Sequence, residues 1–156
     1  MSLVILVALA LVAYWLFTKR KKSAVKTTSD LPPKLDRWVC DILERELATR
    51  TLGIANSTAD ERKRLSKTLR GDPDPELVTT IEGAVKSVQL EFMKYAHEQD
   101  AEVVVRVTYE DGATANVGER MPLADLPEGV RADFASKGST RVFRGWEFPW
   151  SRIRAS

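Results

Sequence analysis

The chain has 156 residues, a net charge of +2 and a single cysteine, Cys40. Its length favours one domain with an appendage over two full domains. One cysteine excludes an intrachain disulfide, and one cysteine with one histidine excludes a zinc site of such ligands within a single chain. With 24 basic and 22 acidic side chains, the overall charge gives no case for a polyanion-binding protein.

The first notable segment, residues 2–17, contains no charged side chain. As a helix it would rise about 24 Å, which is short but workable against a hydrocarbon core of about 30 Å. Tyr14 and Trp15 stand at its end, where amphipathic rings prefer the membrane interface. We therefore predict a single-pass transmembrane anchor at 1–18. A cleaved signal and a buried core helix are the alternatives, but the bulky aromatics disfavour the first and the all-round apolar character disfavours the second.

A basic linker at 19–33 follows and ends in Pro32-Pro33. By the positive-inside rule it places the N-terminus outside and the soluble domain in the cytosol. Clustered lysines near a membrane are each attracted to anionic lipid by about 1 kcal/mol, although such a cluster can also be a solvated tether. The candidates for contact with lipid head groups lie here and on the second predicted helix: Lys19, Arg20, Lys21, Lys22, Arg62, Lys63, Arg64 and Lys67.

The domain that we predict at 34–156 begins with helices. An apolar stripe at spacings of three and four predicts a first helix over 34–50. A capping box, Thr58 with Glu61, starts a second helix that ends at Gly71. Asp74 as N-cap and Pro75 at the first helical position start a third, and the same periodicity extends this core helix to about residue 97.

After Asp100 the apolar period changes from 3.6 to 2, which predicts strands. A three-residue turn ending in a left-handed Gly112 would set Tyr109 opposite Ala113 and keep the apolar faces together. A short helix over 127–134 and a third strand over 140–148 complete the pattern. We predict an α+β fold, with helices packed on one face of a small, about three-stranded antiparallel sheet.

Catalytic and cofactor motifs are not found. His97-Glu98 lacks the second histidine of a zinc protease, and the single glycines form no phosphate loop or nucleophile elbow. We predict no metal and no cofactor. Glu98, Asp100 and Glu102 cluster at a predicted helix-to-strand junction, which leaves a membrane-tethered enzyme with an unrecognised carboxylate site as one alternative.

The C-terminal tail mixes arginine with aromatic residues, which is typical of protein-interface hot spots and of nucleic-acid stacking. We predict a membrane-anchored adaptor or accessory subunit of a membrane complex with a protein partner. Nucleic-acid binding through the basic second helix and the tail is the other alternative, disfavoured by the slightly acidic balance of 31–156. A further alternative is that Val142, Trp146 and Phe148 complete the sheet and only the arginines are exposed to solvent. The candidate partner-binding residues are Arg141, Arg144, Trp146, Trp150 and Arg152.

Overall fold

The computed structural model describes residues 31–51, 58–95, 97–137 and 140–155. The predicted anchor at 1–18 lies outside these residues, as does the predicted linker at 19–33 apart from 31–33. Among the described residues, no helix combines the length and the apolar character that crossing a membrane requires.

The fold is α+β, as predicted, and its sheet has four antiparallel strands in the order β3-β2-β1-β4. The strands are β1 (Val85–Lys94), β2 (Asp100–Tyr109), β3 (Thr114–Pro122) and β4 (Thr140–Trp146). The helices are α1 (Pro33–Arg50), α2 (Ala59–Leu69), α3 (Pro75–Ala84), α4 (Glu128–Lys137) and α5 (Pro149–Ala155), with a short 3-10 turn at Leu123–Asp125.

The prediction of a long third helix is wrong, because α3 ends at Ala84 and β1 follows at once. The apolar residues Val85, Val88 and Phe92 fit a helical stripe, but Val88 and Phe92 also alternate with a buried Leu90. In the structure this alternation prevails because β1 lies at the centre of the sheet and pairs with both β2 and β4. The strand that the prediction lacked is therefore β1, whose residues the apolar helical periodicity had assigned to the third helix.

The hairpin between β2 and β3 has the predicted three-residue turn. The Tyr109 N–H donates to the Ala113 carbonyl at 2.9 Å, and the Gly112 N–H donates to the Tyr109 carbonyl at 3.0 Å. Val107 lies opposite Ala115, and Gly112 has a φ of +84°. The prediction that the register keeps the apolar faces together is confirmed.

The core lies between α1 and the face of the sheet that we call the inner face. Lys34 at the start of α1 pairs with Asp125 just after β3, and Arg50 at its end pairs with Asp111 in the hairpin at 3.2 Å. Helix α1 therefore runs along the strand direction, from the end of β3 to its start. The fully buried side chains of α1 and of the inner face include Leu35, Val39, Leu43, Leu47, Leu90, Phe92 and Val103.

Helix α2 begins with the predicted capping box and packs on α1. The Thr58 hydroxyl accepts from the Glu61 N–H at 3.4 Å, and the Thr58 N–H donates to a Glu61 carboxylate oxygen at 2.9 Å. Its far end is joined to α1 by an ion pair between Arg70 and Asp41 at 2.7 Å. The capping box thus fixes where α2 starts, and the ion pair at its other end helps to hold it against α1.

We expect Gly112→Ala to destabilise the domain by roughly 1–2 kcal/mol, because an L-residue is strained in the left-handed region. Gly83→Ala is the matched control: Gly83 lies in α3, has ordinary backbone angles, and an added Cβ would meet nothing within 4 Å. That control should raise stability by about 0.5 kcal/mol. Urea denaturation of both variants measures the difference, and equal effects would contradict the turn geometry.

The cap of α3 predicts a pH dependence of stability. One Asp74 oxygen accepts from the Glu76 and Leu77 N–H groups, while the other accepts from Arg64 at 2.6 Å. The hydrogen bond from Arg64, followed by those from the backbone, holds the pKa of Asp74 below its ordinary value of 3.8. A carboxylate with a lowered folded-state pKa stabilises the fold above the unfolded value, and the effect is lost as the pH falls through the folded one.

We therefore expect Asp74→Asn to be less stable than the parent at pH 7, because the amide keeps the cap but loses the charge. The two proteins should converge when the pH falls below the lowered pKa of Asp74. Denaturant unfolding at a series of pH values from 7 downward measures this. A constant difference across the series would show that the Arg64 interaction does not set the pH dependence.

Candidate functional site

The face of the sheet opposite α1, which we call the outer face, is the candidate site. The strand register arranges its side chains in three rows that run across β3, β2, β1 and β4 in that order. The first row is Asn116, Arg106, Gln89 and Gly145; the central row is Gly118, Val104, Glu91 and Phe143; the third row is Arg120, Glu102, Met93 and Arg141.

The central row joins apolar and aromatic surface around one buried carboxylate. Phe143 is 47% exposed, and Val104 is half-buried. At Gly118 an added Cβ would meet Val104 Cγ2 at 3.3 Å, so the valine side chain extends toward the glycine. Glu91, between Val104 and Phe143, is only 6% exposed. The middle of the outer face is therefore partly apolar, with its acid withdrawn from solvent.

Two arginines from the neighbouring rows neutralise Glu91. Arg141 Nε lies 2.9 Å from one carboxylate oxygen, and Arg106 Nη2 lies 3.6 Å from the other. Arg106 also donates from Nε to the Asn116 side-chain oxygen at 2.9 Å. A buried carboxylate is costly unless it is paired, so these contacts account for Glu91 at this position. They also hold both guanidinium groups beside the central row.

The third row carries the remaining charges of the outer face. Arg120 pairs with Glu98, which precedes β2, at 3.2 Å. Glu102 differs from its neighbours, because it has no ion-pair partner in the part of the chain that the structure describes. The three rows thus present one unpaired carboxylate, Glu102, among arginines that are already engaged.

The tail candidates do not form one surface, because strand alternation divides them between the two faces. Arg141 lies on the outer face, whereas Arg144 lies on the inner face and pairs with Asp133 of α4 at 3.8 Å. Trp146 and Trp150 are buried, at 4% and 3% exposure. Arg152 belongs to α5, and its side chain lies outside the described part. Only Arg141 of the described tail candidates is therefore placed to meet a partner on the sheet.

The two tryptophans belong to an aromatic cluster that attaches α5 to the domain. Phe148 meets Trp146 edge-on at 5.2 Å and stacks on Trp150 at 4.5 Å between ring centroids. Trp150 Nε1 donates to a Glu82 carboxylate oxygen at 3.0 Å, and Arg154 pairs with the same carboxylate at 2.9 Å. Alanine at Trp146 or Trp150 would damage this core, so neither is a clean probe of binding.

Phe143 is the functional candidate that sequence reasoning missed. It lies in the tail, yet the choice of candidates there followed residue type and not the side of the strand. The sequence did contain a signal for it, because successive side chains of a strand point to opposite faces. With Trp146 facing inward, the odd-numbered Arg141 and Phe143 must face outward. Applied strictly, that rule selects the pair that the structure brings together.

The basic candidates on α2 are partly neutralised within the domain. Arg64 pairs with Asp74 and Glu76, at 2.6 and 3.6 Å, while Lys63 and Lys67 are exposed. Arg62 is exposed and also interacts within the chain. The candidates at 19–22 lie outside the described residues. Contact with lipid head groups therefore stays a prediction, and on α2 it would depend mainly on the two lysines.

The three carboxylates considered for catalysis have different surroundings. Glu98 pairs with Arg120, Glu102 points from the outer face, and Asp100 is exposed at the start of β2. Within the described ranges, no group of three His, Cys, Asp or Glu side chains could hold a metal ion. A cleft of about 270 Å³ lies elsewhere, between the end of α3, the start of β1 and the β4–α5 connection, where Glu82 is already engaged by Trp150.

We expect Glu91→Gln to lower the free energy of unfolding by about 1.5–3 kcal/mol, the usual range for hydrogen bonds to charged groups. Arg141→Gln should cost less, because Arg106 still pairs with the carboxylate. Denaturant unfolding of both variants gives the order. A larger loss for Arg141→Gln than for Glu91→Gln would contradict the role of Glu91 as the shared centre of the face.

Comparison with known proteins adds no relative to this picture. No protein-family model matches the chain, no curated protein matches it, and no solved structure matches it. These comparisons therefore assign the chain to no family.

Proposed function

We propose that the chain is a membrane-anchored binding protein, an adaptor or accessory subunit of a membrane complex, and that the outer face is its docking surface. The observation that carries this proposal is Phe143, an aromatic side chain that is 47% exposed on the edge strand β4, in the central row of the outer face. Large apolar side chains on a protein surface are informative when further apolar groups lie close by. Phe143 shares its row with Val104, with the buried Glu91 between them.

The chemistry of the rows supports a protein partner. Aromatic residues and arginine are enriched at protein interfaces, most strongly where the aromatic group is central and the charges surround it. On this face Arg106 and Arg141 flank the central row, and their contacts with Glu91 already restrict their side chains. Binding then loses less side-chain entropy than it would with free arginines.

The predicted anchor gives this surface its place of action. Residues 1–18 would confine the domain to a membrane, and the linker at 19–33 would keep it close to that surface. Confinement of two binding partners to one membrane raises their effective concentration, so a modest docking surface suffices for stable association. A small, partly polar face such as this one is consistent with that requirement.

The same face supports a protein partner better than a nucleic acid. A stacking platform needs exposed aromatic groups within a field of unpaired positive charge. Here Glu91 pairs with two arginines and Glu102 adds an unpaired carboxylate, so two negative charges offset the two positive ones. Phosphate groups would meet little uncompensated positive charge on these rows.

The test is Phe143→Ser in the tagged full-length chain, recovered from gently solubilised membranes with its partners identified by mass spectrometry. Loss of a hot-spot aromatic costs about 2 kcal/mol or more, so we expect partner recovery to fall at least about tenfold. Tyr95→Ser is the matched control, because Tyr95 is 59% exposed and lies beyond the three rows. Unchanged recovery with Phe143→Ser, with the fold intact by circular dichroism, would remove the outer face from the proposal.

A further inference from the structure

The charges of the outer face are arranged so that the face complements itself. We propose that its occupant is a second copy of this chain, packed sheet to sheet about a two-fold axis that runs across the strands along the central row. This inference rests on the proposed function, since it identifies the partner of the same docking surface. The two copies would form an isologous pair, in which every contact occurs twice.

The principal contact is between Glu102 and Arg106. On β2 these residues lie on either side of Val104, in the third and first rows. Rotation about an axis along the central row places each strand over its counterpart and exchanges the first and third rows. Glu102 of one copy then lies opposite Arg106 of the other, and the converse contact forms at the same time. Glu102 of each copy thereby gains a cationic partner.

The other exchanged positions are also compatible. Arg141 of one copy lies opposite Gly145 of the other, where an added Cβ would meet nothing within 4 Å. That open space accommodates the long arginine side chain. Arg120 lies opposite Asn116, which can accept a hydrogen bond, and Met93 lies opposite Gln89. None of these positions brings like charges together.

On the axis itself each residue of the central row meets its own counterpart. Phe143 packs against Phe143 and Val104 against Val104, which removes the most exposed apolar groups of the face from water. Glu91 also faces Glu91, but each is 6% exposed and paired with two arginines inside its own domain. Two sheets packed face to face in this way normally lie within about 30° of alignment.

A two-fold axis parallel to the strands fits less well. It would place β3 of one copy over β4 of the other and keep the rows in place. Arg120 would then lie opposite Arg141, and Glu102 opposite Met93. Like charges would face each other twice, and the unpaired carboxylate would be covered without a partner, which is costly. The charge pattern therefore favours the axis across the strands.

This axis also suits two chains anchored in one membrane. Helix α1 starts where Lys34 pairs with Asp125, just after the edge strand β3. The proposed axis runs from strand to strand, so the rotation leaves each strand at the same distance along it. Both copies of α1 therefore begin at the edge of the pair that is formed by the two β3 strands. Both predicted anchors can then enter the same membrane from that edge.

The test is a charge exchange in the full-length chain, co-expressed with two different tags and recovered through one of them. Glu102→Arg with itself sets Arg opposite Arg106, and Arg106→Glu with itself sets Glu opposite Glu102, so each should lower recovery of the second tag at least about tenfold. Because Arg106→Glu also removes a partner of Glu91, circular dichroism of each variant first establishes that it is folded. Glu102→Arg co-expressed with Arg106→Glu restores opposite charges at both contacts, and recovery should return. Arg131→Glu, an exposed change on α4, is the matched control and should have no effect.

Gly145→Leu provides a second variant that leaves all charges in place. It fills the space that Arg141 of the other copy enters and should weaken the pair, while its exposed position spares the fold. Self-association that ignores all of these changes would overturn the inference. If the tagged copies do not associate while a different protein is lost with Phe143→Ser, the second copy is wrong and the proposed docking surface stands; if neither occurs, both fail.

Discussion

The double pairing of β1 is the constraint on which the rest of the structure depends. This strand is hydrogen-bonded to β2 on one side and to β4 on the other, although β4 is separated from it in sequence by two strands and a helix. Its register decides which side chains of all four strands share a row. Val88, Leu90 and Phe92 enter the core together, and Glu91 is thereby committed to the opposite face. A slip of one residue would exchange the two faces completely.

The placement of Glu91 on the outer face by the register of β1 explains why an acidic residue lies in the middle of a sheet. Glu91 stands between Val104 and Phe143, which shield it from water, and only cations from the adjacent rows can compensate it. Arg106 and Arg141 come from different strands, so the carboxylate links β2 and β4 through the strand between them. The arrangement gives the outer face a fixed charge pattern, and a fixed pattern is what recognition of a specific partner requires.

Much of the fold could be predicted from residue patterns with a local physical cause. Asp74 and Pro75 start α3 because a cap and a preset φ act within one turn, and Gly112 sets the hairpin because few residues adopt its backbone angles. The α3–β1 boundary could not be found in this way. Its apolar residues satisfy two periods, and the choice depends on hydrogen bonds to strands distant in sequence. Phe143 was accessible in principle through strand alternation, but the rows require the register of all four strands.

The ion pairs at the two ends of α1, Lys34–Asp125 and Arg50–Asp111, have a mechanical consequence. Any tension on the chain ahead of Leu31 enters the domain next to the start of this helix, where Leu31 is only partly buried and the exposed Lys34–Asp125 ion pair contributes little resistance. Beyond it the load reaches Leu35 and Val39, which are fully buried, and further leucines follow at each turn. Resistance would therefore rise after the first contact yields. The outer face lies on the other side of the sheet from α1. A pull on the predicted linker would therefore not act directly on the three rows.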